Sequence, residues 1–410
     1  MKKQSNTPPS NGLKRRDALL LTALASAMAL AGCGGGGGGD NVAGVSSGGT
    51  GSFSTGAISG FGSIIVAGVR FDDSKASTVR NDDDNTDLRG QLKLGMVVRV
   101  KGQAKSSDGL SADADTIEVR SELLGPISSI DTAAKKLDVL GQTVTLTATT
   151  FFDDGLAGIA SLNVGDIVEL HGFSEPETNS LKATRVEKKL LANVNAFKIQ
   201  GAIRNLNISG KTFSIGTPGT PAMLNVAYTG ADLGGLTLSE ALVVRIQLTT
   251  AAGSGTRIAT RIRTIELEAR EVQDADVEGT ITSFTSNSSF SVNGLPVNAS
   301  GVAVPTGLGL GVHVDVEGSL VGGVLIATQV EIEDESDPLK FELNGTISAL
   351  DSAAKTFVLR GVTVGFSGPV LFKEGIAADL SNVGGQSVKV KGLLSADGNR
   401  VNASEIAFDR

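Results

Sequence analysis

Groups able to do nucleophilic or metal chemistry are scarce in this chain: two histidines, His171 and His313, and one cysteine, Cys33, among 410 residues. A zinc site or a Ser-His-Asp arrangement needs such groups brought together. The two histidines fall two repeats apart, so sharing a site would require contact between repeats; each reads instead as an exposed strand position. The run Asn81-Asp82-Asp83-Asp84-Asn85-Thr86-Asp87 is the one acidic cluster with enough oxygens for Ca²⁺. An EF-hand loop wants Gly at its sixth position and Glu at its twelfth. Counted from Asp82 these are Asp87 and Lys93, so only an irregular site with Asp82 and Asp84 as candidate ligands remains, beside the plainer reading of a solvated loop. Asp153-Asp154 reads as a solvated loop too. Gly60-Phe61-Gly62-Ser63 lacks the Lys and the following helix of a phosphate-cradling loop. Neither a Gly-x-Ser-x-Gly elbow nor a His-Glu-x-x-His pair is present. Trp is absent and Tyr228 stands alone, which argues against aromatic sugar platforms. No catalytic residue and no cofactor is assigned.

The elements that would have to position any site are written in one recurring octet. Gly95–Gly102 reads GMVVRVKG, and it returns as GDIVELHG (165–172), ALVVRIQL (241–248), GVHVDVEG (311–318) and GQSVKVKG (385–392). Alternation with period two makes it a strand. Val98, Val168, Val244, Val314 and Val388 form an inner column. Arg99, Glu169, Arg245, Asp315 and Lys389 form a second column whose charge persists while its sign varies, which reads as a solvent face. Around each octet stand a Gly-x-Ile opening strand, two short strands joined by a glycine turn, a loop or short helix, and a closing Ala-x-x-[Ile/Val] strand. The period of roughly 65–80 residues is that of a small domain. Three strands, a short helix or loop, then two strands is the order of an OB-like β-barrel, with SH3-like barrels and sandwiches as alternatives. The expected architecture is all-β: a tandem array of five such repeats at 53–121, 122–193, 194–274 (the divergent one, with an insertion near Pro218–Pro221), 275–337 and 338–410. Each repeat is expected to unfold as a separate bead.

Composition narrows the function. The net charge is −8 and aromatics are 4%. Nucleic-acid binding needs basic grooves and stacking platforms, so it is not expected. One cysteine permits no intrachain disulfide. Residues 1–32 carry a basic start and an apolar run from Ala18 to Gly32, too short to span a bilayer comfortably. The run ends Leu30-Ala31-Gly32-Cys33, which resembles the lipobox of bacterial lipoproteins. That resemblance implies cleavage before Cys33 and its acylation. Arg15-Arg16 resembles a twin-arginine export signal, with the general secretory route as the alternative. Residues 33–52, rich in Gly and Ser, then form a lipid-anchored tether. Gly34, not Asp, follows the Cys, which by the same resemblance implies the outer membrane.

The stretch Gly56-Ala57-Ile58-Ser59-Gly60-Phe61-Gly62-Ser63-Ile64-Ile65-Val66-Ala67-Gly68-Val69-Arg70-Phe71, with the later Leu-x-x-Gly-Met-x-Val-x-Val-x-Gly, resembles a repeated domain of unknown function found in bacterial lipoproteins and exported proteins. The resemblance implies β-barrel modules in the envelope and brings no catalytic residues. The expected function is therefore a non-enzymatic envelope lipoprotein, its membrane contact made by the N-terminal lipid. Its barrels would act as a spacer or scaffold for an unidentified envelope or extracellular protein. The alternative is capture of a cation or polysaccharide by the loops of one repeat.

Overall fold

The computed structural model describes residues 51–153, 155–175, 178–216, 223–251, 255–264, 271–333, 340–381 and 385–409. The leader, nearly all of the tether, Cys33 and Pro218–Pro221 lie outside the described residues. Strands dominate, and short 3₁₀ turns such as Gly158–Ser161 and Ala377–Asp379 take the place of any helix between the third and octet strands.

Each repeat closes into a small five-stranded barrel. In the first, Ser52–Phe61 pairs antiparallel with Ile64–Val66, and that strand with Val69–Asp72. Val69–Asp72 then runs parallel to the closing strand Ser111–Arg120, which pairs antiparallel with the octet strand Val97–Gly102. The octet returns to the opening strand and shuts the barrel. The same circuit closes barrel 2, barrel 3, barrel 4 and barrel 5. Closure leaves few edges to recruit other chains.

The octet's ends have distinct physical jobs. Its last residue marks a shift of register against the closing strand in every barrel, at Gly102, Gly172, Leu248, Gly318 and Gly392. A Cβ on Gly172 or Gly318 would collide with the carbonyl of Lys182 or Ile326, so the bulge calls for glycine there. The inner column is fully buried at Val98, Val168, Val244, Val314 and Val388.

The barrels are not separate beads. The opening strand of barrel 1 runs parallel to that of barrel 4 over Ser52–Thr55 and Asp274–Val277, and to that of barrel 5 at Gly60 and Phe61. A side chain at Gly60 would strike the Glu342 carbonyl, so this glycine permits close docking of barrels, not phosphate binding. Barrels 2 and 3 meet where Leu124 pairs with Lys198. The cores follow suit. One apolar cluster joins barrels 1 and 5, from Ile58, Phe71 and Val98 to Phe341, Phe357 and Val388. A second joins barrels 2 and 3. The third, in barrel 4, takes in Phe53 of barrel 1. Barrel 2 is tied on by the Phe151 ring packed edge-on to Phe341 at 4.9 Å. A repeat of this size has little core of its own, and sharing surfaces buries more apolar area per residue.

Candidate functional site

The charged column of the octet turns inward to the junctions between barrels, which corrects the expectation of a solvent face. Arg99 is 7% exposed, and the side chains of Glu169 and Arg245 are 15% and 13% exposed; Asp315 is partly buried, and Lys389, at 32%, keeps more contact with water than those three. The physical reason is the clustering itself: a barrel face that would meet water in isolation meets another barrel here. Charges brought into such a junction must be paired.

The pairing is dense. Asp82, in the acidic run of barrel 1, takes Arg245 of barrel 3 at 2.6 Å and Arg99 at 3.2 Å. Asp83 takes Lys198 at 2.8 Å and Arg245 at 3.2 Å. Arg261 donates to the Asp83 carbonyl at 2.9 Å. The acidic run is thus partly buried and clamps barrel 3, where a solvated loop was expected. Asp84 accepts from the Thr86 N–H in an exposed local turn. The guanidinium partners of Asp82 already neutralise the charge a cation there would need. Burial pushes the Asp82 carboxyl up, but Arg245 and Arg99 outweigh it and hold it below the usual range.

His171 is 2% exposed, not a surface position, and its Nδ1–H donates to the Arg120 carbonyl at 2.7 Å. His313 is half-buried, with its ring 4.7 Å from Phe173 of barrel 2 and its Nε2 3.7 Å from Glu278. Asp153, expected in a solvated loop, binds Lys93 of barrel 1 at 2.6 Å and also the buried Arg185, which reaches on to the Leu94 carbonyl of barrel 1 and to Glu187. The two histidines therefore serve separate junctions and form no joint site.

Between barrels 1, 2 and 3 these side chains enclose a polar cavity of about 370 Å³. Asp82, Asp83, Glu122, Arg99, Arg120, Lys198, Arg245, Arg261 and Arg263 supply its charge, with Ile199 and Ile246 as apolar wall. Arg120 is buried at its base, with Nη2 on Gln200 at 2.8 Å and Nε on Glu122 at 3.0 Å. Burial lowers the Arg120 guanidinium to about 10; Glu122 and Asp82 oppose the shift, while Arg245 and Arg99 add to it. Arg261 and Arg263 stand at the more exposed side, where Asp232 pairs with both. Arg120, Glu122, Lys198, Arg261 and Arg263 were not singled out from sequence. One signal was available: Ser121 and Glu122 alone separate the closing strand of barrel 1 from Leu123, too little chain for a solvated linker.

The buried charges make stability depend on pH. His171 is held below its ordinary 6.5, chiefly by burial, although Glu169 and Glu187 oppose the shift. A depressed histidine stabilises fully above 6.5, and its contribution is lost as pH falls through that value toward the folded one. Burial raises Glu169 and Glu187, but Lys198 and Lys189 draw the first down to about 2, and Arg185, His171 and Lys189 draw the second lower still. Their contribution is complete above about 4.5 and drains away below it. Urea midpoints measured from pH 8 to pH 3 are thus expected to fall in two stages, and His171→Gln is expected to remove most of the first.

Residues 55–118, 125–187, 278–331 and 344–407 match the model of a family described as a domain of unknown function, DUF5666. Barrel 3 lies outside the matched stretches. No curated protein matches the chain. Among solved structures it is similar to Drosophila Unr CSD456, at 15% identity over 43% of this chain and 79% of that one, with a TM-score of 0.16. Four matched barrels cover more than half of the sequence, and the chain belongs to the DUF5666 family of domains of unknown function.

Proposed function

We propose that the protein is a non-enzymatic lipoprotein of the cell envelope, whose five OB-like barrels act as one stiff scaffold for a protein partner in the envelope or outside the cell. The observation that supports this reading is the cross-joining of the barrels. Parallel strand contacts, shared cores and buried ion pairs hold all five in one body. Such a body resists bending, so a partner held at one face keeps a set distance from another. Cys33 would carry the lipid and the Gly/Ser-rich stretch would give reach, placing the body at the outer membrane. The alternative of a ligand held by one repeat's loops has less support, since the polar cavity draws its walls from several barrels.

Chemical cross-linking in intact cells followed by pull-down of the full-length protein tests the scaffold. A stoichiometric protein partner, recovered from repeat preparations, is the expected result; recovery of nothing above a control lipoprotein overturns it. The anchor is checked separately. Cys33→Ala should move the protein from the membrane fraction to a soluble, unacylated form or an uncleaved precursor. Retention of processed protein on salt-washed membranes would rule the lipid anchor out.

A further inference from the structure

We propose that the cavity between barrels 1, 2 and 3 is a binding site for a small multivalent oxyanion, a molecule bearing at least two phosphate or carboxylate groups. The proposal is independent of the scaffold reading and survives its failure.

The cavity's composition is the first argument. Six cationic side chains line it, Arg99, Arg120, Lys198, Arg245, Arg261 and Arg263, against three carboxylates, Asp82, Asp83 and Glu122. This excess sits in a chain whose net charge is −8. Glu118, Glu169 and Asp232 stand outside the wall and offset part of it, through Arg99, Lys198 and the Arg261–Arg263 pair. Within the lining itself cations outnumber carboxylates six to three.

The second argument is how those cations are held. Arg120 is nine-tenths buried, with Nη2 donating to Gln200 and Nε 3.0 Å from the Glu122 carboxylate. Its buried Nε makes no hydrogen bond among the described residues, so the guanidinium keeps donor capacity beside the cavity. Asp82 is shared by Arg99 and Arg245, and Asp83 by Arg245 and Lys198, so two carboxylates serve three cations. Three guanidinium groups held this close repel one another: burial is the main cause of the lowered Arg120 pKa, and Arg245 and Arg99 add to it. An entering oxyanion would relieve that repulsion and accept directed N–H bonds from planar forks.

The third argument is size and access. A volume of about 370 Å³ lies within the range of small-molecule sites, roughly 300–1,000 Å³, and exceeds what a single halide or sulfate ion would fill. Arg261 and Arg263, with side chains 43% and 37% exposed, stand where a ligand would enter, while Arg120 lies at the base. One anionic group at the base and another at the mouth would use both sets. Phosphate and carboxylate share this chemistry, and the experiment distinguishes them.

Calorimetric titration of the full-length protein in detergent, with pyrophosphate and with citrate as probes and chloride as control, decides the matter. Saturable binding of one molecule per chain is expected for at least one probe, weakening with added salt. Arg261→Gln with Arg263→Gln should reduce that affinity at least about tenfold and lower the thermal midpoint less than Arg245→Ser does, because Asp232 is 57% exposed and the main further loss is the Arg261 bond to the Asp83 carbonyl. Arg120→Gln should abolish binding if it folds; the mouth pair keeps the question answerable if it does not. The stronger probe identifies the ligand's anionic group. No saturable heat from either probe up to about 10 mM, or an affinity unaffected by the mouth substitutions, overturns the proposal.

Discussion

Val168→Asp is expected to unfold barrels 2 and 3 together. The side chain is fully buried in an apolar cluster that runs from Leu123 and Val144 in barrel 2 to Ile203, Val226 and Ile262 in barrel 3. A carboxylate there has no cation within its cluster, and burying it without a partner costs several kcal/mol. Domain stabilities are about 5–15 kcal/mol, so one such change removes much of the margin. Sequence alone suggests damage confined to 122–193. The shared core extends it through the strand Thr256–Thr264 of barrel 3. Limited proteolysis checks this: cuts should appear in both barrels at one denaturant concentration, while Ser52–Phe61 and Lys340–Asp351, paired in the other sheet, resist longer. Cutting restricted to 122–193 would restore the bead picture.

Arg245→Ser should be among the most damaging changes at a position that reads as solvent-exposed in the sequence. It leaves Asp82 and Asp83 without their shared guanidinium and the Ser121 carbonyl without a donor. Breaking a buried ion pair by removing one partner costs about 3–5 kcal/mol. Lys389→Ser, at the equivalent place in barrel 5, should cost about 0–1 kcal/mol: its side chain is 32% exposed, and its partner Glu342 keeps Arg70 at 2.6 Å. Urea unfolding of the two variants measures the contrast. A double change, Arg245→Ser with Asp82→Ser, should be less harmful than the two separate costs summed, since a shared interaction is lost only once. Equal, small losses at both positions would mean that the junction holds no buried charge.

Much of each barrel was legible. The period-two pattern of Val98-Arg99-Val100 and its four copies identified a strand with one buried face, and the inner valines are fully buried in all five. The end of the octet is a bulge in all five barrels, even in the copy that ends in Leu248 and lacks the glycine. The candidate site was scarcely legible. Alternation says that Arg99 and Val98 point to opposite faces of a strand, but not what lies beyond the second face. In an isolated barrel that face meets water, and a charged residue fits it. In the assembled chain the same face meets another barrel, and a charged residue fits it equally well once paired.

Local sequence therefore determined what local physics governs: strand periodicity, turn positions and the apolar column of each octet strand. Tertiary structure alone decided which barrels share a core, that His171 is buried, that Asp82 reaches Arg245, 163 residues away, and that six cations surround one cavity. The reason is the range of the forces involved. Strand pattern is set by neighbours one and two residues apart. An ion pair between barrels depends on how whole domains are docked, which no short stretch of either partner encodes.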